Sequence, residues 1–177
     1  MKLFYLILLL SVTQLINAQL PAIQNYYEYG SQSPQIPSNI ISTSDGNYAF
    51  VGTGPNNTGN GQIWVLKLDT NGDTLWDYHY GNLGTTYSGI NLIEAQDGGL
   101  VIAGKKENPP LYTDHDITVL KLDQNGNSLW DTTFGGNSTE SVVDLFELST
   151  GSIIVVGTTR STDFYATSCL LYTSDAA

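Results

Sequence analysis

The sequence predicts an all-β protein in which one four-stranded unit is written about three times. Three observations carry this expectation. The 177 residues hold 18 glycines and 11 tyrosines among many Val, Ile and Thr, a composition of pleated strands joined by tight turns. Only 13% of residues are charged, about half the usual share, which argues against long solvated helices or coiled coils. The chain also repeats itself, as the markers below show.

The segment Lys67-Leu-Asp-Thr-Asn-Gly-Asp-Thr-Leu-Trp76 returns as Lys121-Leu-Asp-Gln-Asn-Gly-Asn-Ser-Leu-Trp130. An aromatic-glycine pair recurs at Tyr29-Gly30, Tyr80-Gly81 and Phe134-Gly135. A third marker is Asp45-Gly46, Asp97-Gly98 and Thr150-Gly151, each followed by an apolar run that ends at Gly52, Gly104 or Gly157. A period near 50 is the mark of stacked or radial repeats.

The elements follow in order. Residues 1–18 carry Lys2, the apolar run Leu3 to Leu10 and a small residue at Ala18, which reads as a cleavable signal peptide. That run falls short of the roughly 20 residues needed to span a bilayer, so no membrane insertion is expected after cleavage. Residues 19–167 are the repeats, at about 26–76, 77–130 and 131–167. In the first, Asn39 to Thr43 forms a strand, and Asp45-Gly46 turns it into Tyr48 to Gly52, because glycine supplies the positive φ of a hairpin. A variable loop leads to Ile63 to Leu68, apolar on both faces as a doubly covered strand requires. Asn71-Gly72 then turns into the aromatic strand from Thr74 to Tyr78.

Residues 90 to 130 repeat the scheme. Val142, Val143, Leu145, Phe146 and Leu148 have helix-like spacing when read alone, but the same slot of the first unit holds β-branched Ile40, Ile41 and Thr43, so a strand is expected. Trp76 and Trp130 should be equivalent and buried. Residues 168–177 break the pattern and resemble translated sequencing-adapter sequence; a non-native or disordered tail is the expectation.

Four strands per unit, each unit too small to bury its own faces, suggest a β-propeller of which about three blades of a larger ring are present. A stack of sheets or a β-solenoid is the alternative. Asp97 to Gly104, Asp116 to Trp130 and Phe134 to Ser141 resemble the secreted propeller-type repeats of Bacteroidetes-like bacteria and are similar to the SBBP-type seven-bladed repeat. The resemblance covers about residues 26 to 166. It implies a secreted or surface-attached propeller of the kind that often ends in a type IX sorting signal. Only the third unit has the double glycine at 135 and 136 and the Glu140-Ser141 pair.

The chemistry of the sequence is sparse. The formal charge of -11 repels phosphates and excludes a general nucleic-acid binder. One cysteine excludes an internal disulfide. His79 sits between two tyrosines of a strand and reads as a packing or surface residue. Asp114-His115-Asp116 is the densest titratable cluster, but no third ligand is near it in sequence. Asp69 and Asp123 precede Asn-Gly turns whose spacing fails the EF-hand loop, and their carboxylates should accept turn N–H groups. Glu94, Glu107, Glu140 and Glu147 mark no unique catalytic pair. No catalytic, cofactor or metal residue is therefore assigned. The expected function is a secreted or cell-surface scaffold that binds protein or glycan through its variable loops, residues 53–62 and 105–114. The alternative is an extracellular polysaccharide hydrolase or lyase whose active site lies outside these residues.

Overall fold

The computed structural model describes residues 28–29, 34–55, 60–107 and 114–163, and the backbone of 170–174. The signal-peptide reading lies outside these residues, as do the centres of both variable loops. Among the described residues there is no helix, and so none long and apolar enough to cross a membrane.

The strands fall into three antiparallel sheets, each a meander in chain order. The first is β1 (Ile36–Ser42), β2 (Tyr48–Pro55), β3 (Gly61–Leu68) and β4 (Thr74–Tyr80). The second is β5 (Thr86–Glu94), β6 (Leu100–Glu107), β7 (His115–Leu122) and β8 (Ser128–Phe134). In the third, β9 (Glu140–Glu147) pairs with β10 (Ile153–Thr159), and β11 (Leu170–Ser174), from the tail expected to lie outside the repeat, runs along the far side of β10. The helix-like segment around Val142 is thus strand β9. β4 and β8 continue past Trp76 and Trp130, the expected ends of the first two repeats, to Tyr80 and Phe134.

Five hairpin turns share one geometry. In the first, Thr43 N–H donates to Asn47 O at 2.8 Å and Gly46 N–H donates to Thr43 O at 2.9 Å, with Gly46 at φ 83°. This is a three-residue loop closed by a left-handed glycine. The same pair of bonds closes the turns at Gly72, Gly98, Gly126 and Gly151. Asp69 Oδ1 accepts the N–H groups of Asn71 and Asp73, both at 2.8 Å, and Asp123 does the same for Asn125 and Asn127. These bonds hold both carboxyls below the ordinary carboxylate value, chiefly through Asp73 N–H for Asp69 and the Asn127 side chain for Asp123.

The glycine that ends each apolar run has a different duty. Gly52, Gly104 and Gly157 lie beside bulges in β1, β5 and β9, where the register skips one residue. A Cβ on Gly104 would collide with Ser88 O, and one on Gly52 with Ile36 O. Only a residue without a side chain allows the first strand to bulge so closely onto the second.

The sheets pack face to face in sequence. Ala49, Val51, Ile63 and Val65 of the first sheet bury themselves against Leu92, Leu100, Ile102, Leu120 and Leu122 of the second. The second sheet's other face, with Val101, Ala103, Ile117 and Val119, meets Leu145, Ile153 and Val155 of the third. Each of the Val, Leu and Ile side chains contributes about 1.5–3 kcal/mol by leaving water. This explains the apolar run in β7, since alternate residues serve opposite neighbouring sheets; in β3 the second face, Trp64, Leu66 and Leu68, packs with Tyr29 and Phe50 instead.

Two polar joints recur between successive sheets among the described residues. At the bulges, the Asn39 side chain donates to Asn91 Oδ1, and Asn91 Nδ2 donates to Asp144 Oδ1 at 3.0 Å. Each of these residues also caps the next N–H of its own strand. At the strand ends, Glu94 accepts from Ser44 N–H at 2.6 Å, and Glu147 accepts from Gln96 N–H at 2.7 Å. In addition, the Tyr29 hydroxyl, ahead of β1, donates to Gly72 O and the Tyr80 hydroxyl of β4 to Gly126 O, both at 2.6 Å. The tyrosines of the first two aromatic-glycine markers thus each bond an Asn-Gly turn, which Phe134 of the third cannot do for want of a hydroxyl, and burial holds the Tyr80 hydroxyl well above its ordinary pKa.

Trp76 and Trp130 share a register, opposite Lys67 and Lys121. Their burial differs, contrary to expectation. Trp76 is half-buried, stacked on Tyr78 at 5.6 Å, and the β7–β8 turn lies beside both, where a Cβ on Gly126 would sit 2.7 Å from the Tyr78 ring. Trp130 is 37% exposed and lines a cavity with Ser149, Thr150 and Gly151 of the β9–β10 turn.

Candidate functional site

Two lysines in the apolar strands show how the fold handles buried charge. Lys67 and Lys121 are 5% and 7% exposed, and their ammonium groups reach Asp45 at 2.7 Å and Asp97 at 2.6 Å. The repeated lysine thus ties the β3 and β7 strands to the Asp-Gly turn of the same sheet. The lysine bond is the largest cause holding both carboxyls below the ordinary value of 3.8. A carboxyl with a lowered folded-state pKa stabilises the fold above its unfolded pKa, and that stability is lost as pH falls through the folded value. The melting temperature should therefore drop as pH is lowered from about 5 toward 2. Asp97→Asn should melt lower at neutral pH and show a shallower acid dependence. Because the Asp97 side chain is 58% exposed, the loss at neutral pH should be no more than about 1 kcal/mol.

The fold gathers one cluster that sequence spacing did not display. Asp114 and Asp116, around the start of β7, meet Glu140 at the start of β9, and one oxygen from each lies within 4.8 Å of the others. Glu140 is 0% exposed. Its Oε1 accepts the hydroxyls of Thr159, at 2.6 Å, and Ser161, and its Oε2 accepts Gly136 N–H at 3.2 Å. Gly135 leaves room for the cluster, since a Cβ there would collide with the Asp116 carboxylate. Between the first two sheets the same places hold Gln62, whose amide donates to Gly81 O at 3.1 Å, and Thr86. The acidic set therefore belongs to one interface alone among the described residues. Three carboxylate oxygens are the chemistry of a hard divalent cation, but calcium takes about six to eight oxygens. Glu140 already spends its acceptors on the protein's own donors.

The other titratable residues fall into structural places. His79 is exposed on β4, opposite Trp64 in register. His115 faces Glu107 across β6 and β7, with Nδ1 3.4 Å from Glu107 Oε1 but without hydrogen-bond geometry. Glu94 and Glu147 form the strand-end joints. The Glu-Ser pair peculiar to the third unit draws attention to Glu140, but its meeting with Asp114 and Asp116 rests on sheet packing that no local spacing reveals.

Among the described residues, two cavities lie between sheets. One of about 430 Å³ lies beside Trp130, lined by Lys121, Glu147, Ser149 and Ile153. The other, of about 280 Å³, lies between the first and second sheets, lined by Ile63, Tyr80, Tyr87, Thr118, Leu120 and Asp131 among others. No known family model matches the chain, and no curated protein is significantly similar to it.

Proposed function

We propose that the three sheets are blades of a secreted β-propeller whose role is non-catalytic: it presents variable loops to a protein or glycan partner at the cell surface or outside the cell. The observation that carries this reading is the Asn39–Asn91–Asp144 ladder. It joins the first strand of each sheet to the first strand of the next, as wedges around a common axis require. The meander order of every sheet supports the same arrangement. Polar recognition fits the Asn-, Gly- and Pro-containing loops between β2 and β3 and between β6 and β7. Export rests on the leader-like residues 1–18.

A glycan array probed with the full chain tests the reading. Binding to a restricted set of polysaccharides is expected, and it should fall at least tenfold when both loops are shortened to Asn-Gly turns. Unchanged binding by the shortened variant, or release of new reducing ends from a bound polysaccharide, would overturn it.

A further inference from the structure

The repeat supplies its own comparison for the cavity of about 280 Å³ between the first two sheets. By strand register, Thr118 of β7 corresponds to Trp64 of β3, and Asp131 of β8 corresponds to Asp77 of β4. In the first sheet the Trp64 indole is 5% exposed and donates its ring N–H to Asp77 Oδ1 at 2.8 Å. In the second sheet the indole is replaced by the small Thr118 side chain, while the carboxylate is retained. The same surface of the first sheet, lined by Tyr29, Trp64 and Leu66, holds a depression of only about 180 Å³. The cavity at Thr118 is thus the place that an indole fills in the preceding unit.

Its walls suit such a ring. Leu120 and Ile63 are 5% and 2% exposed and supply apolar contact. Tyr80 and Tyr87 bring two aromatic rings, and offset or edge contacts between aromatics add to area burial. Tyr80 is held by its bond to Gly126 O, so its ring is positioned before any ligand arrives. Asp131 is an exposed residue at the cavity wall, where its carboxylate can accept a ligand's hydrogen. An acceptor at the edge of an aromatic slot selects a flat ring that carries an N–H.

We infer that this cavity between the first and second sheets binds a small planar aromatic with a ring N–H, of the indole type, with Asp131 accepting that N–H. The inference is independent of the scaffold reading, because it needs only the packing of these two sheets.

Ligand-observed NMR with indole and 1-methylindole, on the full chain, tests it. Indole should bind with a Kd on the order of 0.1–1 mM, as its few heavy atoms allow. 1-Methylindole, which lacks the N–H, should bind at least tenfold more weakly. Asp131→Ala should weaken indole to the level of 1-methylindole without changing melting by more than a degree or two, since the residue is exposed. Thr118→Trp should fill the cavity, raise the melting temperature and abolish indole binding. Absence of indole binding, or equal binding of indole and 1-methylindole by the wild-type chain, would overturn the inference. Undiminished binding by Asp131→Ala would do so as well, and these arms decide the matter even if Thr118→Trp fails to fold.

Discussion

Replacing Glu140 with alanine is expected to cost about 3–5 kcal/mol of unfolding free energy, read from urea denaturation. The residue is 0% exposed and is the acceptor for two hydroxyls and one backbone N–H. Hydrogen bonds to a charged acceptor are worth about 1.5–3 kcal/mol each, and donors left buried without a partner add to the loss. The neighbouring Asp114 and Asp116 carboxylates work the other way, because removing a like charge relieves repulsion. The desolvated donors outweigh that relief, since both hydroxyl bonds are buried. Glu140→Gln retains one acceptor oxygen in the same place and should cost less than half as much. Equal losses for Ala and Gln would show that the carboxylate, rather than its acceptor geometry, is what the network requires.

Gly104→Ala is expected to be the most damaging single methyl in the second sheet. Its φ is not the reason, as no positive value is involved; the obstacle is the Ser88 carbonyl, which stands where the methyl carbon would have to go. A carbonyl oxygen held in a strand cannot swing aside like the end of a long side chain. The bulge in β5 between Gly89 and Asn91 would have to open. The Asn91 bonds to the first and third sheets would move with it. The expected loss is about 1–3 kcal/mol from overpacking alone, with the broken joints in addition. Loss of cooperativity in thermal unfolding would accompany it. A change below about 0.5 kcal/mol, the range of an ordinary surface substitution, would show that the bulge relaxes freely.

Strands and turns are legible because their signals are local. Asp-Gly and Asn-Gly mark hairpins wherever they stand, and the glycines at 46, 72, 98 and 126 all adopt positive φ. The helix-like spacing around Val142 yields to comparison with the first unit, and β9 bears that out. The joints are not legible. Asn39, Asn91 and Asp144 read as single polar residues in strands, and nothing local distinguishes a side chain that bridges two sheets from one that faces water. The exposure of Trp130 escapes the sequence for a related reason, since it depends on what the neighbouring sheet provides rather than on its own strand. Lys67 and Lys121 are visible as repeated residues, but a lysine in an apolar strand becomes intelligible only when the Asp-Gly turn is seen beside it. The acidic meeting point at Glu140 unites residues of two sheets that lie well apart in the chain, with no counterpart in the first unit to announce it.

The bulge and strand-end joints connect each sheet only to the sheet that follows, at separations of 50 to 53 residues. Gene duplication or loss of a whole unit would consequently leave the bulge and strand-end seams with matching donors and acceptors, whereas the Glu140 cluster and the Tyr80 bond, each at one interface among the described residues, would not be reproduced. Evolution can therefore lengthen such an array in single steps, while a change of one residue at a seam must be matched across it.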